Sequence, residues 1–187
     1  MATQISEIYD YSTYQDAARE TCSYEPINGS FLTYPVLGLT GEVGETIEKI
    51  KKVYRDNNGE IDASVRYGLM MEMGDVMWFV SCLCDELEIK FTDINLHETA
   101  DNLRWSRFSL ADLGIEMAYL SGSIASSSTL GRLNKAVMGH AVTQLFLFIH
   151  VLADRIGVPM ATIMRSNIMK LRERVRTGKL AGSGDYR

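Results

Sequence analysis

Two pairs of acidic residues stand at helical spacing among apolar neighbours. Glu42 and Glu45 lie in the segment LGLTGEVGE, and Glu72 and Asp75 lie in LMMEMGDVMWFV. Residues three apart are separated by about 300° around a helix, so both carboxylates of a pair project from nearly the same face. Removing an ionised carboxylate from water costs several kcal/mol, and a helix as apolar as residues 69–84 is usually buried on most of its circumference. The acids therefore either border a wet groove or hold a cation.

Four carboxylates on two helices have the geometry of a metal site. Hard oxygen ligands of this number suit Mg²⁺ or Mn²⁺ and leave coordination positions for water and phosphate oxygens. Carboxylates about 5 Å apart repel by about 3 kcal/mol per pair at an effective dielectric constant of about 20, and a divalent cation turns this repulsion into attraction. A solvated helix face is the alternative. It explains Glu42 and Glu45 passably, but it explains Glu72 and Asp75 poorly because their neighbours are apolar.

The composition is that of an ordinary globular protein. The 187 residues are 46% hydrophobic and 23% charged, which fits one domain or two small halves that share a core. The net charge of −5 and the lack of a basic stripe give no reason to expect a nucleic-acid partner. No signal peptide is recognisable, and residues 136–153, which contain His140 and His150, fall short of the about 20 apolar residues that a membrane span needs. The sequence therefore predicts a cytoplasmic protein with no membrane partner.

The three cysteines form no Cys-x-x-Cys pair. Cys82 and Cys84 alone cannot build a tetrahedral zinc site, and Cys22 is distant in sequence. We predict that all three are buried free thiols in a reducing cytosol.

The elements that must position the acids are helices. Apolar residues recur at three- and four-residue spacing and do not alternate with polar residues for long, so the pattern predicts an all-α protein. Asp56 to Gly59 is a predicted turn, and Pro159 is placed at the first turn of a helix. Helices are predicted near 12–23, 34–55, 61–88, 91–104, 109–127, 130–156 and 159–177.

An internal duplication is also indicated. The segment 83–89 parallels 152–158, and 37–39 parallels 113–115. None of the four acids has an acidic counterpart in the second copy. We therefore predict a single all-α domain, 1–187, made of a metal-binding half, 1–106, and a degenerate half, 107–187, kept for its fold. Chance similarity between amphipathic helices is the alternative.

Several motifs together resemble the MazG-like nucleoside triphosphate pyrophosphohydrolases. The resemblance covers residues 14–100 and 160–187. The matching motifs are Tyr14-Gln15-x-x-Ala18, the segment 34–45, Lys51-Lys52, the segment 72–79, Asn167-x-x-Lys170-Leu171-x-x-Arg174, and the glycine-rich end with Gly178 and 182–187.

The resemblance implies an all-α bundle of the MazG-like type. It implies Mg²⁺-dependent hydrolysis of a nucleoside or deoxynucleoside triphosphate to the monophosphate and pyrophosphate, with Mn²⁺ as a further candidate metal. Family sites use four acids as metal ligands. Here these are the candidate metal-binding and catalytic residues Glu42, Glu45, Glu72 and Asp75. We predict that Glu45 is the one that takes the proton of the attacking water.

The chain departs from the family in length. Family members place the Asn-x-x-Lys helix soon after the Glu-x-x-Asp helix, whereas here a whole extra half precedes Asn167. Members associate so that helices of two subunits form one bundle, and duplication would let one chain supply both. We therefore predict a pseudo-dimer whose second half provides Asn167, Lys170 and Arg174. A homodimer or higher homo-oligomer of this chain is a further prediction.

The candidate phosphate contacts are basic. Lys49 and Lys52 lie on the side of their helix that carries Glu45, and Lys170 and Arg174 are one turn apart; a solvated side chain is the alternative for each lysine. The full set of candidate substrate-binding residues is Lys49, Lys52, Asn167, Lys170 and Arg174.

The remaining aromatic and imidazole side chains are predicted to be structural. Core packing is favoured over base stacking for three aromatic residues: Trp78, Phe79 and Trp105. The histidines, His97, His140 and His150, lack ligand spacing with the acids.

Two rival functions are weighed against hydrolysis. A di-iron bundle needs Glu-x-x-His, and no glutamate here has a histidine three residues on. A non-catalytic nucleotide-binding or scaffold protein of the same fold is the remaining alternative, although retention of all four acids argues against it.

Overall fold

Helices account for most of the chain that the computed structural model describes, namely residues 10–95, 107–129 and 132–178. Over these residues the structure contains no β-strand beyond one isolated bridge between Ile27 and Ser30, so the predicted all-α fold is confirmed. The α-helices are α1 (Tyr11–Arg19), α2 (Thr33–Asn57), α3 (Ala63–Glu86), α4 (Leu110–Ser127), α5 (Lys135–Ile156) and α6 (Met160–Arg176), and a 3₁₀ turn spans Phe91–Asp93.

Side-chain caps fix where several helices begin. The Asp62 carboxylate accepts a hydrogen bond from the Val65 amide at 2.8 Å, and Asn134 caps α5 in the same way. Ser109 and Asp112 form a reciprocal capping box at the start of α4. Such caps satisfy amide groups that have no partner inside the helix. They explain why α3 begins at 63 and not 61, and why α5 begins at 135 and not 130.

The predicted helix over 91–104 is wrong at its start. Residues 91–93 form only a 3₁₀ turn, and Ile94 is extended, with φ −80° and ψ 122°. Residues 96–104 lie outside the described ranges. The predicted turn after α2 is confirmed: Asn58 and Gly59 have positive φ angles of 51° and 86°, a backbone region that glycine and asparagine tolerate best.

The helices pack as two pairs with two flanking elements. α2 packs against α3, and α4 packs against α5; α2 also contacts α4, and α3 contacts α5. α6 and α1 both lie against α3 and touch each other. The pseudo-dimer, the duplication and the division near residue 106 stay predictions.

One continuous core joins the helices of the described residues. α3 is at its centre, because every residue from 76 to 84 is buried. The core runs from Tyr14 in α1 through Phe146 in α5 to Ile163 in α6. The apolar run that surrounds Glu72 and Asp75 in the sequence is therefore the central helix of the fold.

α5 is long and apolar enough, by length and composition alone, to cross a membrane. It has 22 residues, with a mean hydropathy of 1.7 in its most apolar stretch, of which 56% is buried inside the protein. The sequence argument that this stretch is too short is wrong, because the helix extends to both sides of it. A core helix has the same character, and Leu145, Phe146 and Ile149 are fully buried. The lack of a membrane partner stays a prediction.

Candidate metal centre

The acids of α2 and α3 meet where the two helices pack together. One carboxylate oxygen each of Glu42, Glu45 and Glu72 lies within 4.8 Å of the other two. Glu42 and Glu72 are partly buried, whereas Glu45 is exposed. The structure thus brings three of the four predicted ligands into one cluster, which opens to solvent on the side of Glu45.

Asp75 borders this cluster and is engaged by α6. Its carboxylate forms an ion pair with Lys170 and accepts a hydrogen bond from Asn167 Nδ2 at 3.0 Å. Burial raises the pKa of Asp75, an effect that Lys170 and Arg174 oppose. Two residues of α6 therefore contact Asp75 of α3, while the pseudo-dimer stays a prediction.

Two residues that orient Asn167 were not singled out from the sequence. The buried Tyr14 hydroxyl donates to Asn167 Oδ1 at 3.0 Å, which leaves the amide nitrogen to face Asp75. A Cβ atom on Gly74 would lie 3.0 Å from the Asn167 Cβ, so glycine permits the close approach of α6. Both residues belong to matching family motifs, Tyr14 to Tyr14-Gln15-x-x-Ala18 and Gly74 to the segment 72–79, and that was the available signal.

The three remaining candidate substrate-binding residues, Lys49, Lys52 and Arg174, differ in how close they lie to the acids. Lys49 Nζ lies 3.0 Å from Glu72 Oε1, so Lys49 belongs to the cluster. Lys52 Nζ lies 3.5 Å from Glu48 Oε1 and is half exposed, and the structure does not bring it to the acids. Arg174 is near enough to Asp75 to act on its pKa. The role of each in substrate binding stays a prediction.

The electrostatics of the cluster fit a cation. Burial, together with the negative charges of Asp75, Glu45 and Glu72, raises the pKa of Glu42 to about 7, while Lys170 opposes the rise. Crowded carboxylates thus keep a proton near neutral pH that a divalent cation would replace. The donors are all oxygens, which suits Mg²⁺ or Mn²⁺ better than Zn²⁺.

The pKa of Glu42 predicts how the stability of the metal-free protein depends on pH. The folded pKa of about 7 exceeds the ordinary value of 4.5, so the folded state binds more protons between these values. Its free energy of unfolding should therefore fall as pH rises from about 4.5 to about 7. Thermal unfolding in EDTA, followed by circular dichroism across this range, measures the effect.

Comparison of the wild type with Glu42→Gln isolates the contribution of Glu42 to the pH dependence of the free energy of unfolding. His150 opposes it, because burial lowers the pKa of the imidazole and so favours folding as pH rises towards 6.5. In Glu42→Gln the free energy of unfolding should fall less steeply with pH than in the wild type. Glu60→Gln, in the exposed loop before α3, should show the wild-type slope. Equal slopes in the wild type and Glu42→Gln would contradict the raised pKa.

The aromatic residues beside the acids are buried, in line with the predicted packing role. Trp78 is 9% exposed and Phe79 is 8% exposed, and Trp78 Nε1 donates to Thr21 Oγ1 at 2.8 Å. The Phe79 ring lies against Gly38, where a Cβ would come within 2.1 Å of it. Trp105 lies outside the described residues.

The histidines differ in their surroundings. His150 Nδ1 lies 2.7 Å from the Phe146 carbonyl oxygen, and Nε2 lies 2.6 Å from the Tyr11 hydroxyl, so this imidazole links α1 to α5. His140 is exposed, and His97 lies outside the described residues.

Comparison with known proteins locates similarity on the helices that carry the acids. The model of the MazG nucleotide pyrophosphohydrolase domain matches residues 33–103, a range that includes α2 and α3 but not Asn167 or Lys170. The chain is 42% identical over 82 residues to the Gene 37 protein of Mycobacterium phage L5, an alignment that covers 41% of this chain and 70% of that protein. No solved structure matches the chain.

Proposed function

This chain belongs to the MazG nucleotide pyrophosphohydrolase family, and we propose that it hydrolyses a nucleoside or deoxynucleoside triphosphate to the monophosphate and pyrophosphate with Mg²⁺ as its cofactor. The observation that carries the proposal is the cluster of Glu42, Glu45 and Glu72 oxygens within 4.8 Å. Asp75 beside them completes the proposed ligand set, and Mn²⁺ is a second metal that these oxygens suit.

The proposed ligands lie where α2 packs against α3 and would hold the metal there. When bound, a divalent cation supplies positive charge against phosphate oxygens and acidifies water. Glu42 and Glu72 are partly buried and so are fixed by the helices around them, whereas Glu45 is exposed. We assign the proton-accepting role to Glu45, because an exposed carboxylate can pass the proton on to solvent.

The cations of the site change partners in this proposal. Lys49 is paired with Glu72, and Lys170 is paired with Asp75. Metal binding would compete for both carboxylates and release the two ammonium groups for the phosphate oxygens of the substrate. Asn167 and Arg174 flank Lys170 on α6 and add donors on the same side, while Lys52 would act only at the rim.

Product analysis tests the reaction. Each canonical nucleoside triphosphate and deoxynucleoside triphosphate is incubated with the protein and Mg²⁺, and the products are separated by ion-exchange chromatography. We expect a monophosphate and pyrophosphate in equal amounts. A diphosphate with inorganic phosphate would contradict the proposed cleavage between the α and β phosphates.

Metal removal tests the cofactor. EDTA should abolish pyrophosphate release, Mg²⁺ or Mn²⁺ should restore it, and Zn²⁺ should restore it poorly because the proposed ligands are all carboxylate oxygens. Activity that persists in EDTA would contradict the metal assignment. Nucleotide binding by calorimetry without any pyrophosphate release would favour the non-catalytic alternative.

The cellular setting is proposed from composition alone. We infer a cytoplasmic protein without a membrane partner, whose partner is the nucleotide substrate. A nucleic-acid partner is not expected, because the net charge is −5 and no basic stripe is present in the sequence. Assembly into a homodimer or higher homo-oligomer is proposed from the family's mode of association.

A further inference from the structure

The segment between α1 and α2, residues 20–32, contacts both α2 and α3. Thr21 Oγ1 accepts a hydrogen bond from Trp78 Nε1 at 2.8 Å. The Tyr24 ring stacks on Tyr34 with ring centres 4.8 Å apart. Between these two contacts, Cys22 Sγ lies 2.9 Å from Cys82 Sγ in α3. The two sulfur atoms are therefore already in contact, within about 1 Å of the length of a disulfide bond.

The two thiols differ in access to solvent. Cys82 is 1% exposed, whereas Cys22 is only partly buried, which corrects the prediction that all three cysteines are buried. Cys84, the third thiol, is fully buried. It lies two residues beyond Cys82 on α3, so it projects from a different face of that helix. One accessible thiol in contact with one buried thiol is an arrangement suited to disulfide exchange.

We propose that Cys22 and Cys82 form a reversible disulfide, by exchange with a small disulfide such as oxidised glutathione, which fastens the 20–32 segment to α3. This modification site is independent of the proposed hydrolysis, since it involves neither the acids nor their basic partners.

The exchange proceeds in two balanced steps. The Cys22 thiolate attacks one sulfur of oxidised glutathione, whose S–S bond breaks, and the first glutathione leaves as a thiolate that takes up a proton. Cys82 then loses its proton and attacks Cys22 Sγ, and the second glutathione leaves. Two protein thiols are oxidised, and one oxidised glutathione is reduced to two reduced molecules.

The burial of Cys82 predicts that its attack on Cys22 Sγ is the slower of the two steps. Burial raises the pKa of Cys82 well above its usual range, so little of it is thiolate at neutral pH. Cys22 is the more accessible thiol and is the first to react. Disulfide formation should accordingly accelerate as pH rises.

Peptide mapping of the full-length protein tests the proposal. The folded protein is incubated with oxidised glutathione, remaining thiols are alkylated under denaturing conditions, and disulfide-linked peptides are identified by mass spectrometry. We expect a Cys22–Cys82 link, with Cys84 alkylated. The link closes a long loop of the chain, and the oxidised protein should unfold at a temperature roughly 5–15 °C higher, a shift that dithiothreitol reverses.

Two variants control the order of events. Cys84→Ser should form the same link as the wild type. Cys82→Ala should stop after the first step and accumulate a glutathione adduct on Cys22, visible as a mass increase of one bound glutathione. The wild-type mapping decides the question even if Cys82→Ala fails to fold. Three free thiols after oxidation, a stable adduct on wild-type Cys22, or a link between two chains would each overturn the proposal.

Discussion

Glu72→Gln is expected to lower the rate of pyrophosphate release by roughly 100-fold or more. The Glu72 carboxylate belongs to the three-glutamate cluster and also pairs with Lys49 at 3.0 Å. An amide of the same size keeps one oxygen but loses the negative charge that would hold the proposed cation. Steady-state kinetics at saturating Mg²⁺, with pyrophosphate as the readout, measure the loss.

The same variant should remain folded. Glu72 lies on α3, but the helix is held by its buried apolar residues, and relief of repulsion among the carboxylates offsets the lost ion pair. Circular dichroism and thermal unfolding in EDTA check this point. Glu60→Gln is the matched control, because it makes the same chemical change at an exposed position and should retain full activity. A Glu72→Gln protein with wild-type turnover would disprove the metal assignment, and an unfolded one would indicate a structural role.

A chain that ends at residue 106 should be insoluble or inactive. It would lose α4, which packs on α2, together with α5 and α6, which pack on α3. Residues such as Val76, Val80 and Leu83, all fully buried in the whole protein, belong to a helix that would lose this cover. Exposed apolar area of this kind promotes aggregation. Asp75 would also lose Lys170 and Asn167. Soluble yield, circular dichroism and pyrophosphate release report the outcome.

Supplying residues 107–187 as a separate chain provides the control. If the halves cooperate as a pseudo-dimer, co-expression should restore solubility and some activity to residues 1–106. Full activity of residues 1–106 alone would refute the arrangement and make the second half an appended module.

The sequence by itself determined the all-α fold and the candidate acids. Helical periodicity is a local property, so it can be recognised without knowledge of the tertiary contacts. The two acid pairs stand at a spacing that places each pair on one face, and the apolar flanks of Glu72 and Asp75 indicate burial. Helix ends were less well determined, because a cap such as Asn134 moves a boundary without changing the apolar pattern.

Only the tertiary structure decided which partners those side chains have. Asp75 meets Lys170, and Glu72 meets Lys49, because helices that are distant in sequence pack side by side. The contact between Cys22 and Cys82 had no sequence signal at all, since neither spacing nor composition links the two positions. Periodicity assigns each residue to a face of its own helix. The identity of the facing residue depends on how long-range packing arranges the helices, and no local pattern contains that information.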